Sequence, residues 1–239
     1  MKHGIQIKSG NIKIPNCILC EVFAKSKLGN HNTEEAEHQF IRKHFLTFEK
    51  NDILFREGDD VSGVFCIYSG MVKILKKVTT NQDYIIRLTK PGDLLGLSLF
   101  TTKRHINTAI ALERVQVCYI PQYEFLSYIR KNPELSMTVM KILCEEIEFV
   151  ENRITGFSKK NARERVAEML VSLKTLYGTD SEKFLNIFLT WEELANFAGT
   201  SSSTLLRLMN DFKKMNLIRI HKHKIQMLNL ERLAQIAKV

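Results

Sequence analysis

No stretch of this chain approaches the ~20 consecutive apolar residues that a membrane-spanning helix needs. Residues 1–9 are polar and mixed, with neither the apolar run nor the small-residue cleavage site of a secretory signal. A cytoplasmic location is therefore expected. In that compartment thiols stay reduced, so the five cysteines are not read as a disulfide framework. Ordinary thiols, sensor thiols and metal ligands remain open for them. There is no internal repeat and no low-complexity segment. Acidic charge is in deficit: 35 Lys plus Arg face 26 Asp plus Glu, and the pI is about 9.3. That surplus favours a polyanionic partner, usually nucleic acid. The 239 residues and 44% hydrophobic content suffice for two small domains, each with its own core.

Residues 1–45 read as an irregular lead carrying Cys17 and Cys20, with a short helix expected over residues 33–44. From residue 46 the texture changes. β-type runs at 52–55, 63–68, 71–78, 84–88, 109–111 and 115–120 alternate with turns such as Glu57-Gly58-Asp59-Asp60, Ser69-Gly70 and Pro91-Gly92-Asp93. Short strands at near-regular spacing predict an antiparallel sandwich or small barrel over residues 46–132. The apolar period then lengthens. Met140, Leu143, Ile147, Val150, Ile154 and Phe157 alternate spacings of three and four, the seam of a helix that pairs with another helix. Pro133 suits its first turn. Glu145, Glu146, Glu148, Glu151 and Arg153 flank the seam and are expected to face solvent. Residues 133–157 are thus a dimerisation helix, with Met140, Leu143, Ile147, Val150 and Ile154 at the interface. Residues 161–176 read as a further amphipathic helix.

The sharpest pattern lies in the last domain, residues 158–239. Thr190-Trp191-Glu192-Glu193 is a capping box opening a short helix to Ala198. Gly199 permits a sharp turn, and Ser201 or Ser202 caps a second helix to about Met215. Leu205, Leu208, Met209 and Phe212 form its buried stripe. Its other face offers Ser202, Ser203, Leu206, Arg207 and Asn210. Asn216-Leu217-Ile218-Arg219-Ile220 and Ile225-Gln226-Met227 then flank His221-Lys222-His223-Lys224, a hairpin with a basic tip. Helix, glycine turn, helix and basic hairpin in that order describe a winged helix-turn-helix. The DNA-contacting set expected is Ser201, Ser202, Ser203, Thr204, Leu206 and Arg207 near bases, with Lys213, Lys214, Lys222 and Lys224 on phosphates.

These features together resemble the CRP/FNR family of regulators. The resemblance is carried by Phe48-Glu49-Lys50-Asn51-Asp52-Ile53-Leu54-Phe55-Arg56-Glu57-Gly58-Asp59, by Ile67-Tyr68-Ser69-Gly70, and by Pro91-Gly92-Asp93-Leu94-Leu95-Gly96. Phe157-Ser158-Lys159-Lys160-Asn161-Ala162 and the segment 194–212 look like its FNR branch. The resemblance covers nearly the whole chain. It implies an α+β protein: an N-terminal antiparallel β-roll of the cyclic-nucleotide-binding, jelly-roll type, a long dimerisation helix and a C-terminal winged helix-turn-helix. It also implies a homodimer on palindromic double-stranded DNA, its recognition helices in major grooves ~34 Å apart. RNA polymerase would be a partner if the protein activates. FNR-type recognition helices carry Glu-x-x-Ser-Arg; the matching positions here are Ser203, Leu206 and Arg207. Only the arginine is kept. It suits the O6/N7 edge of guanine, while Leu206 suits a thymine methyl, so a half-site unlike the usual one is expected.

The sensor is less legible. Cyclic-nucleotide-binding members hold the ribose with Gly-Glu and the cyclic phosphate with Arg-Ser/Thr-Ala. Here those positions read Gly96-Leu97 and Asn107-Thr108-Ala109, with Arg104 three residues early. An anionic phosphate wants that missing guanidinium, which argues against cAMP or cGMP. Gly96, Leu97, Arg104, Asn107 and Thr108 stay as candidates for the pocket of an unknown effector. FNR-type members also place three N-terminal cysteines and one β-roll cysteine around an iron–sulfur cluster. Cys17, Cys20 and Cys118 match three of these positions; the remaining one falls on Ser26. A cluster generally wants four thiolates, so the metal-ligand set Cys17, Cys20 and Cys118 is incomplete unless Cys66 is recruited. An iron–sulfur cluster, a thiol redox switch or other metal, and an unidentified small ligand all stay open as the effector. Cys144, beside the seam, is read as a packing residue. An enzyme of the cupin type is the different-class alternative. It needs His and carboxylate ligands at short spacing, whereas the β-rich region holds only His105, and no nucleophile–histidine arrangement is evident. A non-enzymatic regulator is the expectation.

Overall fold

A computed structural model describes residues 44–79, 82–187, 189–222 and 224–239. Cys17, Cys20, Ser26 and most of the helix expected over 33–44 lie outside the described residues. The chain divides into two compact units, Met1–Glu146 and Ile147–Val239.

The first unit is built from two antiparallel four-stranded sheets. One has β1 (His44–Phe48), β8 (Val115–Pro121), β3 (Gly63–Ser69) and β6 (Leu94–Leu95), in that order. The other has β2 (Ile53–Phe55), β7 (Thr108–Ala111), β4 (Val72–Thr79) and β5 (Gln82–Leu88). Period-two alternation explains the packing. Phe65, Ile67, Val115, Val117 and Tyr119 from the first sheet meet Leu54, Phe55, Val72, Ile74, Ala109 and Ala111 from the second. The intervening residues of β3 and β8, Val64, Cys66, Cys118 and Ile120, point to the opposite face. There they pack on two helices, α1 (Gln122–Lys131) and the first half of α2 (Pro133–Lys159), through Phe125, Leu135, Val139 and Ile142.

The six expected β-runs are strands, and two more join them. His44, expected to end a helix, instead begins β1. Helix α1 also departs from the expectation of pure β-roll. Pro121, at φ −55°, precedes its first turn, and Phe125, Leu126 and Ile129 form the face it buries. Asn132 then starts α2, its Oδ1 accepting from the Leu135 amide at 3.0 Å.

The second unit contains the rest of α2, then α3 (Ala162–Tyr177), α4 (Trp191–Phe197), α5 (Ser202–Lys214), the hairpin β9 (Ile218–His221) and β10 (Lys224–Met227), and α6 (Leu230–Ala237). Asn161 and Glu164 form a capping box for α3 that sequence reading passed over. The core joins Val166, Leu170 and Leu173 of α3 to Leu194, Leu205, Phe212 and Leu233. Among the described residues no helix is long and apolar enough to cross a membrane.

Candidate functional site

In the second unit the helix-turn-helix forms as its caps dictate. The Glu193 amide donates to Thr190 Oγ1 at 3.2 Å, and the Thr190 amide donates to Glu193 Oε2 at 2.8 Å. Ser201, not Ser202, caps α5, accepting from the Thr204 amide at 3.2 Å. The Ser201 hydroxyl also bonds Thr204 Oγ1 at 2.9 Å, so both side chains serve the helix end. Leu205, Leu208, Met209 and Phe212 are buried, as their spacing required. The opposite face holds Ser202, Ser203, Leu206, Arg207 and Asn210, all exposed. Leu206 is 43% exposed, although an apolar side chain gains about 1.5–3 kcal/mol from burial. The Arg207 guanidinium stands 68% exposed, with only a loose 3.9 Å approach to Asp211. Lys213 and Lys214 lie in the last turn of α5, about 15 Å along its axis from Ser203. They thus lie at the opposite end of the helix from Ser202 and Ser203. Lys222 and Lys224 are exposed at the hairpin, whose register pairs His221 with Lys224. Arg219, exposed on β9, adds a cation that was not singled out from sequence.

The turn between α4 and α5 is held from beneath. Gly199 sits at φ +63°, and a Cβ there would come 2.1 Å from Phe157 Cε1. Arg165 donates to the carbonyls of Ala198 at 3.2 Å, Gly199 at 2.9 Å and Lys160 at 2.7 Å. Arg153 was expected to face solvent. Instead its guanidinium lies 4.5 Å from the Phe197 ring centroid and 5.4 Å from that of Phe157, and it donates to the Phe197 carbonyl at 3.1 Å. Burial lowers its pKa from the usual arginine value, opposed by the Glu168 carboxylate. Phe157 also approaches this turn, while staying 44% exposed. The other seam residues of α2 divide by position. Leu143 packs half-buried against the β-roll's helix-side cluster. Met140, Ile147, Val150 and Ile154 are 48–63% exposed, an apolar row left uncovered in a single chain. Cys144, beside this row, is likewise exposed in a single chain.

In the first unit the effector candidates have these surroundings. Gly96 is needed for close approach: at φ +93°, a Cβ would meet the Gly63 carbonyl at 2.6 Å. Leu97 is buried in the helix-side cluster. Thr108 accepts from the Glu57 amide at 3.0 Å, and Arg104 turns outward to Asp60 at 3.6 Å. Asn107 is half-buried. Lys76, the nearby cation, donates to Glu57 Oε1 at 2.5 Å and to the Ile106 carbonyl at 2.6 Å. That bond holds the Glu57 carboxyl below the usual carboxylate range. With Leu97 apolar and buried, and Arg104 and Lys76 on carboxylates, these residues do not fit an anionic cyclic nucleotide. Cys118 does gain a neighbour that spacing did not reveal, for Cys66 lies directly opposite it across β3 and β8. Among the described residues no group of three or more His, Cys, Asp or Glu converges as for a metal ion.

Residues 45–132 match the cyclic nucleotide-binding domain, and residues 164–236 match the Crp-like helix-turn-helix domain. The chain is 27% identical over 241 residues to an anaerobic regulatory protein of Aggregatibacter actinomycetemcomitans, covering 99% of this chain and 93% of that protein. It is 28% identical over 236 residues to the fumarate and nitrate reduction regulatory protein of Yersinia pestis, covering 97% and 94%. The fold is that of FixK2 from Bradyrhizobium japonicum, with TM-score 0.74 and 16% identity over 82% of this chain and 97% of that one. It is also that of a CooA mutant from Carboxydothermus hydrogenoformans, with TM-score 0.73 and 24% identity over 89% and 95%. With a cyclic nucleotide-binding-type β-roll ahead of a DNA-binding Crp-like helix-turn-helix, the chain belongs to the CRP/FNR family of transcription regulators.

Proposed function

We propose that this regulator acts in the cytoplasm as a homodimer on palindromic DNA, without catalytic activity of its own. A lead (1–45) and β-roll (46–132) act as sensor, residues 133–157 pair the protomers, and residues 158–239 read the operator. The observation that carries this is the exposed face of α5. Ser202, Ser203, Leu206 and Arg207 stand free of the core on a capped, buried-stripe helix, with Lys222 and Lys224 on the adjoining wing. Arg207 grips a guanine in each half-site, Leu206 meets a thymine methyl, and the lysines set register on phosphates. Pairing along Met140, Leu143, Ile147, Val150 and Ile154 sets the spacing of the two α5 helices. Effector binding shifts how α2 pairs, and so shifts the population competent for DNA. RNA polymerase becomes a partner where the protein activates.

A gel shift of full-length protein on a selected operator tests this. Affinity falls steeply with salt, and Arg207→Ala costs about 1–3 kcal/mol on the operator while leaving non-operator binding nearly unchanged. Equal affinity of both proteins for the operator removes Arg207 from base reading.

A second reading concerns the effector. The match of Cys17, Cys20 and Cys118 to FNR-type cysteines, with relatives named as anaerobic regulators, favours an oxygen- or nitric-oxide-responsive iron–sulfur protein. The bound cluster would supply the redox chemistry, and those three cysteines would be protein ligands. Anaerobic purification with iron and sulfide analysis decides it. Stoichiometric iron and sulfide support this reading, and an iron-free protein that still binds DNA removes it.

A further inference from the structure

We propose that Cys66 and Cys118 form an oxidation site: a dithiol that peroxide converts to a disulfide, altering the packing that supports α2. The register of β3 and β8 places the two residues directly opposite each other. The Gln122 amide donates to the Ser62 carbonyl at 2.9 Å, which makes that opposed pair a hydrogen-bonded one. Counting along the ladder by twos, Cys66 and Cys118 are also a hydrogen-bonded pair, with Cα atoms about 5.5 Å apart. The ladder on the other side agrees, since Ile67, the next residue, donates to Asp93 on β6's side at 3.0 Å. Disulfides bridge Cα separations of about 4.4–6.8 Å, which this pair meets, while the Cβ atoms must close from about 5.5 Å to about 3.5–4.5 Å, so the bond draws the two strands together locally. Both side chains point to the same face. Phe65, Ile67, Val117 and Tyr119 face the inter-sheet core, which leaves both thiols toward the helices.

The two thiols differ in access, as oxidation in two steps requires. Cys118 is partly exposed and Cys66 is buried. The Cys118 thiolate attacks one oxygen of hydrogen peroxide, forming the sulfenic acid and releasing hydroxide. Cys66 then displaces water from that sulfur, so two thiols and one peroxide yield one disulfide and two waters. A neighbouring thiol intercepts the sulfenic acid before a second peroxide makes sulfinic acid. The product draws both sulfurs out of their packing against Leu135, Val139 and Ile142, all on the first half of α2. The same helix carries the exposed apolar row, so the oxidised and reduced β-roll favour different pairings. This consequence for DNA rests on the regulator reading; the disulfide itself does not.

The test uses the full chain. Reduced protein is treated with hydrogen peroxide, alkylated, digested and mapped by mass spectrometry. The expected product is a Cys66–Cys118 linked peptide that dithiothreitol splits. A Cys17–Cys20 link alone, or Cys118 sulfinic acid with Cys66 still alkylated, overturns the site. Cys66→Ser, with Cys17 and Cys20 kept, then isolates the pair in DNA binding. The peroxide and dithiothreitol forms of the unsubstituted chain are expected to differ in affinity about fivefold or more beyond any difference shown by Cys66→Ser. A mapped disulfide with unchanged affinity overturns the coupling to α2. Failure of the reduced, unsubstituted protein to bind DNA counts against the regulator reading instead.

Discussion

Replacing Gly199 by alanine tests how the helix-turn-helix is supported. Two separate costs apply. The backbone at φ +63° is left-handed, where an L-residue pays about 1–2 kcal/mol. The added Cβ also lies 2.1 Å from Phe157 Cε1, and the ring has Arg153 and Arg165 guanidinium groups 5.4 and 5.7 Å from its centroid. Overpacking of that kind costs about 1–3 kcal/mol. Gly199→Ala should therefore destabilise the second unit by about 2–5 kcal/mol. Phe157→Ala removes the clash but leaves the backbone cost. The double substitution should then be less destabilised than the sum of the two singles, by about 1–3 kcal/mol. Trp191, the chain's one tryptophan, opens α4 and reports this unit's unfolding in urea by fluorescence. Protein concentration must be fixed, because a dimer's stability depends on it. Strict additivity of the two substitutions would refute the direct Phe157–Gly199 contact.

Three further outcomes follow from the geometry. Substituting Lys222 and Lys224 with alanine should weaken binding to all sequences alike and reduce the slope of log affinity against log salt by about 3–4 for a dimer; titrating salt in a fluorescence-anisotropy assay measures it. Ile147→Glu, at a position 58% exposed in one chain, should leave the monomer folded yet weaken dimerisation by about 100-fold, since two symmetric copies each lose about 1.5 kcal/mol or more; sedimentation gives the constant. His105 is buried and stacked on Phe55 at 3.7 Å, and burial takes its pKa from 6.5 down to about 4. The unfolded chain then binds the proton first, so stability is full above pH 6.5 and declines as pH falls towards 4, by at most about 3 kcal/mol. Urea midpoints followed by circular dichroism should show that decline in wild type and a shallower one in His105→Gln.

Local patterns were legible in the sequence and non-local ones were not. The α5 helix was readable because its cap, stripe and polar face lie within a few residues, Ser201 to Phe212. The strands were readable for the same reason, with turn glycines such as Gly70 marking their ends. Helix α1 was hidden because Phe125, Leu126 and Ile129 make a short apolar group between Pro121 and Pro133, too brief to fix a period. Arg153 misled because its partners come from elsewhere: Phe197 from α4 and Glu168 from α3 draw a flank residue inward. The Cys66–Cys118 pairing depends on strand register, which no spacing in a single chain reveals. For the effector candidates, spacing revealed no partners: Leu97 joins the helix-side cluster and Thr108 accepts from the Glu57 amide, groups that come from other elements.

The most direct test of the account is selection of binding sites by full-length protein from a random DNA pool, followed by affinity measurement on the winners. The account predicts a two-fold symmetric site with half-site centres about 10 base pairs or a multiple apart. Each half-site should hold a guanine whose replacement hurts wild type but not Arg207→Ala, in a sequence distinct from the usual FNR palindrome. An asymmetric site, no enrichment, or return of the usual FNR palindrome would contradict it.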